Sequence, residues 1–233
     1  VDPSTARKIA EAAAKTKLAP KARPLPGLST STATFLDAPV SGGVVGADAG
    51  SLSFMVGGNK AALEVLKPYL QSMGTHVTYC GSSGAGAAAR LCNTLVVGAS
   101  MAAVSEALAL GRRLGLQPET LTDVLNNSSG RCWSSERYNP VPGILPDVPS
   151  SKGYKGGLPT DFVHQQLEML ITAAEAAHSP VPVAKRMKEL YEHIHDEGLG
   201  DKDFSSIFRY VYGQGCDNME WKEGQQLFSS QVP

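Results

Sequence analysis

One short run has residue types and spacing suited to chemistry: Asp37-Ala-Pro-Val-Ser-Gly-Gly43. It reads as a buried strand that breaks into a glycine-rich turn with one hydroxyl at its tip. Gly42 and Gly43 carry no Cβ, so the backbone there can approach a ligand closely. Ser41 then offers a hydroxyl, with backbone N–H groups beside it, to a small anion. Other chemistries find less support in the residues. Cys80, Cys92, Cys132 and Cys216 show no Cys-x-x-Cys spacing, and the histidines do not cluster. His193 and His195, two apart on a predicted helix, point to different sides. No metal site is therefore expected. The cysteine usage suggests no disulfide framework and a reducing compartment. A net charge of -1 gives no electrostatic reason to expect nucleic acid.

The elements that must hold this run follow from periodicity and punctuation. Asp2 as a cap and Pro3 in the first turn open a helix that runs to Lys17. A start inside a helix cap reads as an interior point of a longer design. Residues 19–34 hold three prolines and a Ser/Thr run, an irregular loop that is long for a helix-to-strand connection. Strands are expected over 35–40 and 53–56. A helix follows over 61–73 on the spacing of Leu63, Leu66, Tyr69, Leu70 and Met73, then a strand over 77–80. This order is part of an α/β sheet.

From Gly86 the pattern becomes helical. Residues 87–114 form one long helix, apolar on nearly every face in its middle, which calls for burial by other helices or by a subunit. Its most apolar stretch, 95–104, is too short to span a bilayer. Helices are expected over 118–126, 160–177, 183–197 and 203–212. A loop over 127–155 carries Trp133, and a polar tail begins at about residue 213. The boundary lies near 82–86, giving an α/β domain over 1–83 and an all-helical domain over 84–233. Gly81-x-x-Gly84-x-Gly86 reads as a hinge between them.

Six runs in order, within 37–43, 52–58, 79–81, 105–116, 128–143 and 203–208, resemble the β-hydroxyacid dehydrogenases, relatives of 6-phosphogluconate dehydrogenase. Ser128-Ser-Gly-Arg-Cys-Trp-Ser-Ser135 with Tyr138-Asn-Pro-Val-Pro-Gly143 resembles the 3-hydroxyisobutyrate branch. The resemblance implies the C-terminal part of a Rossmann-type sheet followed by an all-α domain of the 6-phosphogluconate dehydrogenase C-terminal type. It implies NAD-dependent oxidation of a small 3-hydroxy acid to its semialdehyde, as in valine breakdown. A homo-oligomer through the helical domain is also implied, with no nucleic-acid or membrane partner. The family is mitochondrial in eukaryotes, and a cytoplasmic location is expected otherwise. The Gly-x-Gly-x-x-Gly fingerprint that seats a dinucleotide pyrophosphate does not occur in this sequence.

The resemblance also assigns positions. Ser41, Gly42 and Gly43 fall on the family's substrate loop. The family's acid/base lysine, four residues after a Gly-x-Gly run, falls on Arg90. Lysine can be tuned toward neutral pH, whereas arginine stays protonated. Arg90 can instead bind a carboxylate or polarise a carbonyl. The competing expectation is an interface charge paired with an acid. The family's substrate-orienting asparagine falls on Thr94, with Asn93 beside it at i+3 from Arg90. The family's cofactor-side lysine falls on Gln165, within Gln165-Gln166. Asp161 and His164 are expected to be exposed helix-face residues. A catalytically inactive or truncated relative, acting only as a folding or oligomerisation module, stands as the alternative.

Overall fold

Asp2 does cap the first helix. In the computed structural model, which describes residues 1–19 and 31–213, its carboxylate accepts the N–H groups of Ser4 and Thr5 at 2.8 and 3.0 Å. These are two of the donors that a helix start leaves without an acceptor. The helix, α1, spans Pro3–Lys15. Beyond it a bridge pairs Lys17 with Thr32. The bridge closes the ends of the proline-rich loop predicted over 19–34. The interior of that loop lies outside the described residues.

The chain divides into two compact units, Val1–Asn93 and a second beginning at Thr94. In the first, the strand expected over 35–40 is two short strands, β1 (Leu36–Asp37) and β2 (Val40–Ser41). Pro39 is the reason: it has no N–H to give to a ladder. Its carbonyl still accepts from Met55 N at 3.0 Å. The glycine turn then enters a short helix, α2 (Gly43–Asp48), that the sequence does not announce. β3 (Leu52–Gly58) is central. β1 and β2 both pair with it antiparallel, and β4 (Gly74–Gly81) pairs with it parallel. α3 (Lys60–Gln71) crosses between β3 and β4, its start capped by Asn59, which accepts from Ala62 N at 3.0 Å. Phe54, Val56 and Leu63 form the core of this unit, with Leu36, Leu52, Leu70 and Val77 packed around them.

α4 (Ala85–Arg113) leaves the first unit and opens the second. Its whole length, rather than 95–104 alone, makes it long and apolar enough to cross a membrane by composition. Alanines and glycines on both sides of the apolar stretch extend it. Half of that apolar window is buried inside the protein. In the second unit Val104, Leu108 and Ala109 of α4 pack with Val141, Phe208 and Tyr212.

α5 (Pro118–Asn126) follows as expected. The loop expected over 127–155 contains a helical turn, α6 (Trp133–Glu136), and a 3-10 turn at Pro149–Lys152. Side-chain bonds fix the stretch between them. Ser150 Oγ donates to the Asn139 carbonyl at 2.6 Å, and Tyr154 Oη donates to the Pro140 carbonyl at 2.9 Å. α7 (Thr160–Ala176) and α8 (Pro182–Ile194) pack side by side. α8 stops short of Glu197, in a wider turn over His195–Leu199 where Gly198 takes φ 78°. α9 (Ile207–Gly213) closes the described part. The polar tail lies outside it.

Candidate substrate site

The glycine-rich run is built around its first residue. Asp37 is only 7% exposed although it is a carboxylate on a short strand. Its Oδ1 accepts the N–H of Gly84 at 2.8 Å and its Oδ2 accepts the N–H of Ala87 at 2.9 Å. The side chain of β1 therefore caps α4. Sequence reasoning missed this role, because the residues it joins are 47 and 50 positions apart and no local capping pattern marks them. The glycines around the carboxylate are there for space. A Cβ on Gly57 would stand 2.7 Å from Asp37 Oδ1, and one on Gly86 would stand 2.9 Å from Oδ2. A Cβ on Gly84 would stand 2.6 Å from the Pro3 carbonyl oxygen. Gly84 and Gly86, expected to form a hinge, are thus close-packing positions in the first unit.

Ser41 is half-buried at the end of β2, in register with Ser53. Gly42 and Gly43 turn the chain with φ 135° and φ 61°, values that side chains rarely adopt. A Cβ on Gly42 would also press on Leu52 Cδ2 at 3.0 Å. α2 starts at once, with Gly46 N donating to Gly42 O at 2.9 Å. The N–H groups of Gly43, Val44 and Val45 precede that first helical bond, so the turn of the helix gives them no acceptor. The hydroxyl and N–H groups expected beside one another are therefore neighbours in the chain.

Arg90 lies on α4, three residues beyond Ala87. It is half-buried, and burial pulls its guanidinium below the ordinary arginine value. Arginine starts so high that the group remains a cation at neutral pH. Asn93 is half-buried, and Thr94, at i+4 from Arg90 on the same helix, is buried. The Ser41 turn, Arg90 and Asn93 belong to the first unit, and Thr94 opens the second. Gln165 is an exposed position on α7 in the second unit.

Two neighbours of Gln165 behave differently. Asp161 is half-buried as a residue, with a partly exposed side chain that engages His195 Nδ1 at 2.7 Å. His164 departs from expectation: its Nε2 is buried and has no hydrogen-bond partner among the described residues. Elsewhere in the second unit, Asp203 is 2% exposed and accepts from Tyr138 Oη, Leu158 N, Ser205 N and Ser205 Oγ. Burial, the largest influence, raises its pKa despite those bonds. Tyr138 stacks between Trp133 and Phe204. No group of three metal-ligating side chains occurs among the described residues.

A dinucleotide pyrophosphate is normally held by a glycine-rich helix start with open N–H groups. The starts of α1, α3 and α4 are closed by Asp2, Asn59 and Asp37. These three helix starts do not fit a pyrophosphate.

Known proteins resemble the chain along most of its length. Residues 84–211 match the family described as NAD-binding of NADP-dependent 3-hydroxyisobutyrate dehydrogenase. Residues 2–81 match the NAD binding domain of 6-phosphogluconate dehydrogenase. A probable mitochondrial 3-hydroxyisobutyrate dehydrogenase of Arabidopsis thaliana is 46% identical over 91% of this chain and 60% of its own length. The mitochondrial 3-hydroxyisobutyrate dehydrogenase of Homo sapiens is 44% identical over 77% of this chain and 53% of its own. The chain thus spans less than two thirds of the length of these relatives. Among solved structures, a Mycobacterium tuberculosis 3-hydroxyisobutyrate dehydrogenase with L-serine is 36% identical. It superposes with TM-score 0.71 over 76% of this chain and 60% of that one.

Proposed function

The chain belongs to the 3-hydroxyisobutyrate dehydrogenase family, and from that premise we propose that it serves the NAD-dependent oxidation of a small 3-hydroxy acid to its semialdehyde. The observation that carries this reading is Arg90. It is a half-buried cation at the family's acid/base position, in the same compact unit as the Ser41-Gly42-Gly43 turn. A substrate with a carboxylate at one end and a hydroxyl at the other suits that pair of features.

In this reading the carboxylate lies against the Ser41 hydroxyl and the N–H groups that follow Gly42. Arg90 holds charge at the reacting oxygen by electrostatics. It does not take the proton, because arginine stays protonated at neutral pH. The hydroxyl proton therefore leaves to solvent. Asn93, in the same unit as Arg90, orients the hydroxyl by a hydrogen bond. Where the family has its cofactor-side lysine this chain has Gln165, an amide that carries no charge. The division into residues 1–83 and 84–233 is supported by the matched families, which meet between 81 and 84. The same reading includes a homo-oligomer through the helical part, and a mitochondrial location if the chain is eukaryotic, as its eukaryotic relatives are named, with a cytoplasmic one otherwise.

The test is NADH formation by the purified chain with 3-hydroxyisobutyrate and NAD. The expected result is slow formation that requires the hydroxy acid and disappears in Arg90→Ala. In Arg90→Lys it rises toward the roughly 10²–10⁴-fold contribution of a positioned acid/base. Absence of hydroxy-acid-dependent NADH formation in both the parent and Arg90→Lys sinks the proposal.

A further inference from the structure

We propose that Asp37 is a positioning residue, one that sets the place of Arg90 relative to the Ser41 turn. This rests on the functional reading above. Asp37 stands four residues before Ser41 in the chain, and both ends of that segment are pinned to β3, Asp37 against Gly57 and Ser41 against Ser53. Its two carboxylate oxygens bind the N–H groups of Gly84 and Ala87. Ala87 precedes Arg90 by three residues, less than one helical turn. One buried side chain thus fastens the base of the substrate turn to the segment of α4 that carries the cation.

The fit around the carboxylate argues for a built link. Gly57 and Gly86 line it so closely that a Cβ on either would meet Asp37 oxygens within 3 Å. Asn at this position has one acceptor oxygen and an NH₂ group that donates. In either orientation of its amide, one backbone N–H of α4 would face a donor and lose its acceptor. Glu would push an extra methylene into the space that Gly57 and Gly86 leave open. Both changes move the start of α4 against the turn, and displacements of about 1 Å at a binding constellation can cost about 10²-fold.

The experiment titrates 3-hydroxyisobutyrate into the parent chain, Asp37→Asn, Asp37→Glu and Leu63→Ala, with calorimetry for affinity and thermal unfolding for stability. Leu63 lies in the core of the same unit and is none of the residues assigned to the site, so it reports what loss of stability alone does. The expected result is a dissociation constant raised about tenfold or more in both Asp37 variants and unchanged in Leu63→Ala. The inference is overturned when parent and Asp37 variants bind alike, or when Leu63→Ala weakens binding as much as they do. It is overturned together with the functional reading when the parent does not bind the hydroxy acid.

Discussion

At the residue scale, the chemistry turns on what each charged side chain is allowed to do. Arg90 stays a cation at neutral pH where a lysine could exchange a proton, so the part proposed for it is electrostatic. His195 is the opposite case, a group that does titrate. Its hydrogen bond to Asp161, then the charge of that carboxylate and that of Asp196, raise its pKa above the ordinary 6.5. A folded-state pKa raised above the unfolded one means the folded chain binds the proton more tightly. The stabilisation is therefore complete below pH 6.5 and is lost as pH rises through the folded pKa. Proton NMR titration should place His195 above 6.5 in the parent and return it toward 6.5 in Asp161→Ala. The stability difference between the two chains should be confined to the acid side and small, since the pair is exposed. An unchanged His195 titration in Asp161→Ala would show that the Asp161 bond does not govern it.

At the element scale, legibility followed the locality of the signals. α5 and α7 were readable almost to the residue, because Pro118 marks one start and apolar spacing marks the other. β1 and β2 were merged because their apolar composition runs through Pro39. α2 was missed because Gly-Val-Val-Gly-Ala-Asp has weak helix propensity and forms only where β2 releases the chain. The stretch over 127–155 gave no periodicity since side-chain bonds between separated residues hold it. Tyr138 is the clearest of these, tying the segment after α6 to the buried Asp203 at 3.0 Å. Tyr138→Phe should lower stability by about 1–3 kcal/mol in urea unfolding, the usual cost of leaving a buried acceptor short of a donor. The loss should be larger above the folded pKa of Asp203 than below it, because the hydroxyl donates more strongly to the charged carboxylate. Equal losses at both pH values would mean that Asp203 does not ionise over that range.

At the scale of the whole molecule, the family and most of the order of elements were legible, while the geometry of the candidate site was legible only in part. The turn at Ser41, Gly42 and Gly43 was legible from its glycines, whose positive φ the structure shows. The Asp37 link was not, since it depends on the meeting of a strand and a helix start that lie 47 positions apart in the chain. The same limit applies to α4, which composition alone leaves indistinguishable from a membrane-spanning helix. Within the second unit one face of it is packed as core. Leu108 is 1% exposed and packs in the cluster that includes Val141 and Phe208, whereas Val96, on the same helix, is 66% exposed. An apolar helix that serves as a core should lose stability in proportion to burial. Leu108→Ala should therefore cost about 2–5 kcal/mol in urea unfolding of the chain in water. Val96→Ala should stay within about 0.5 kcal/mol of the parent, as exposed substitutions do. Similar costs at the two positions would contradict the assignment of α4 as a core helix with one inward face.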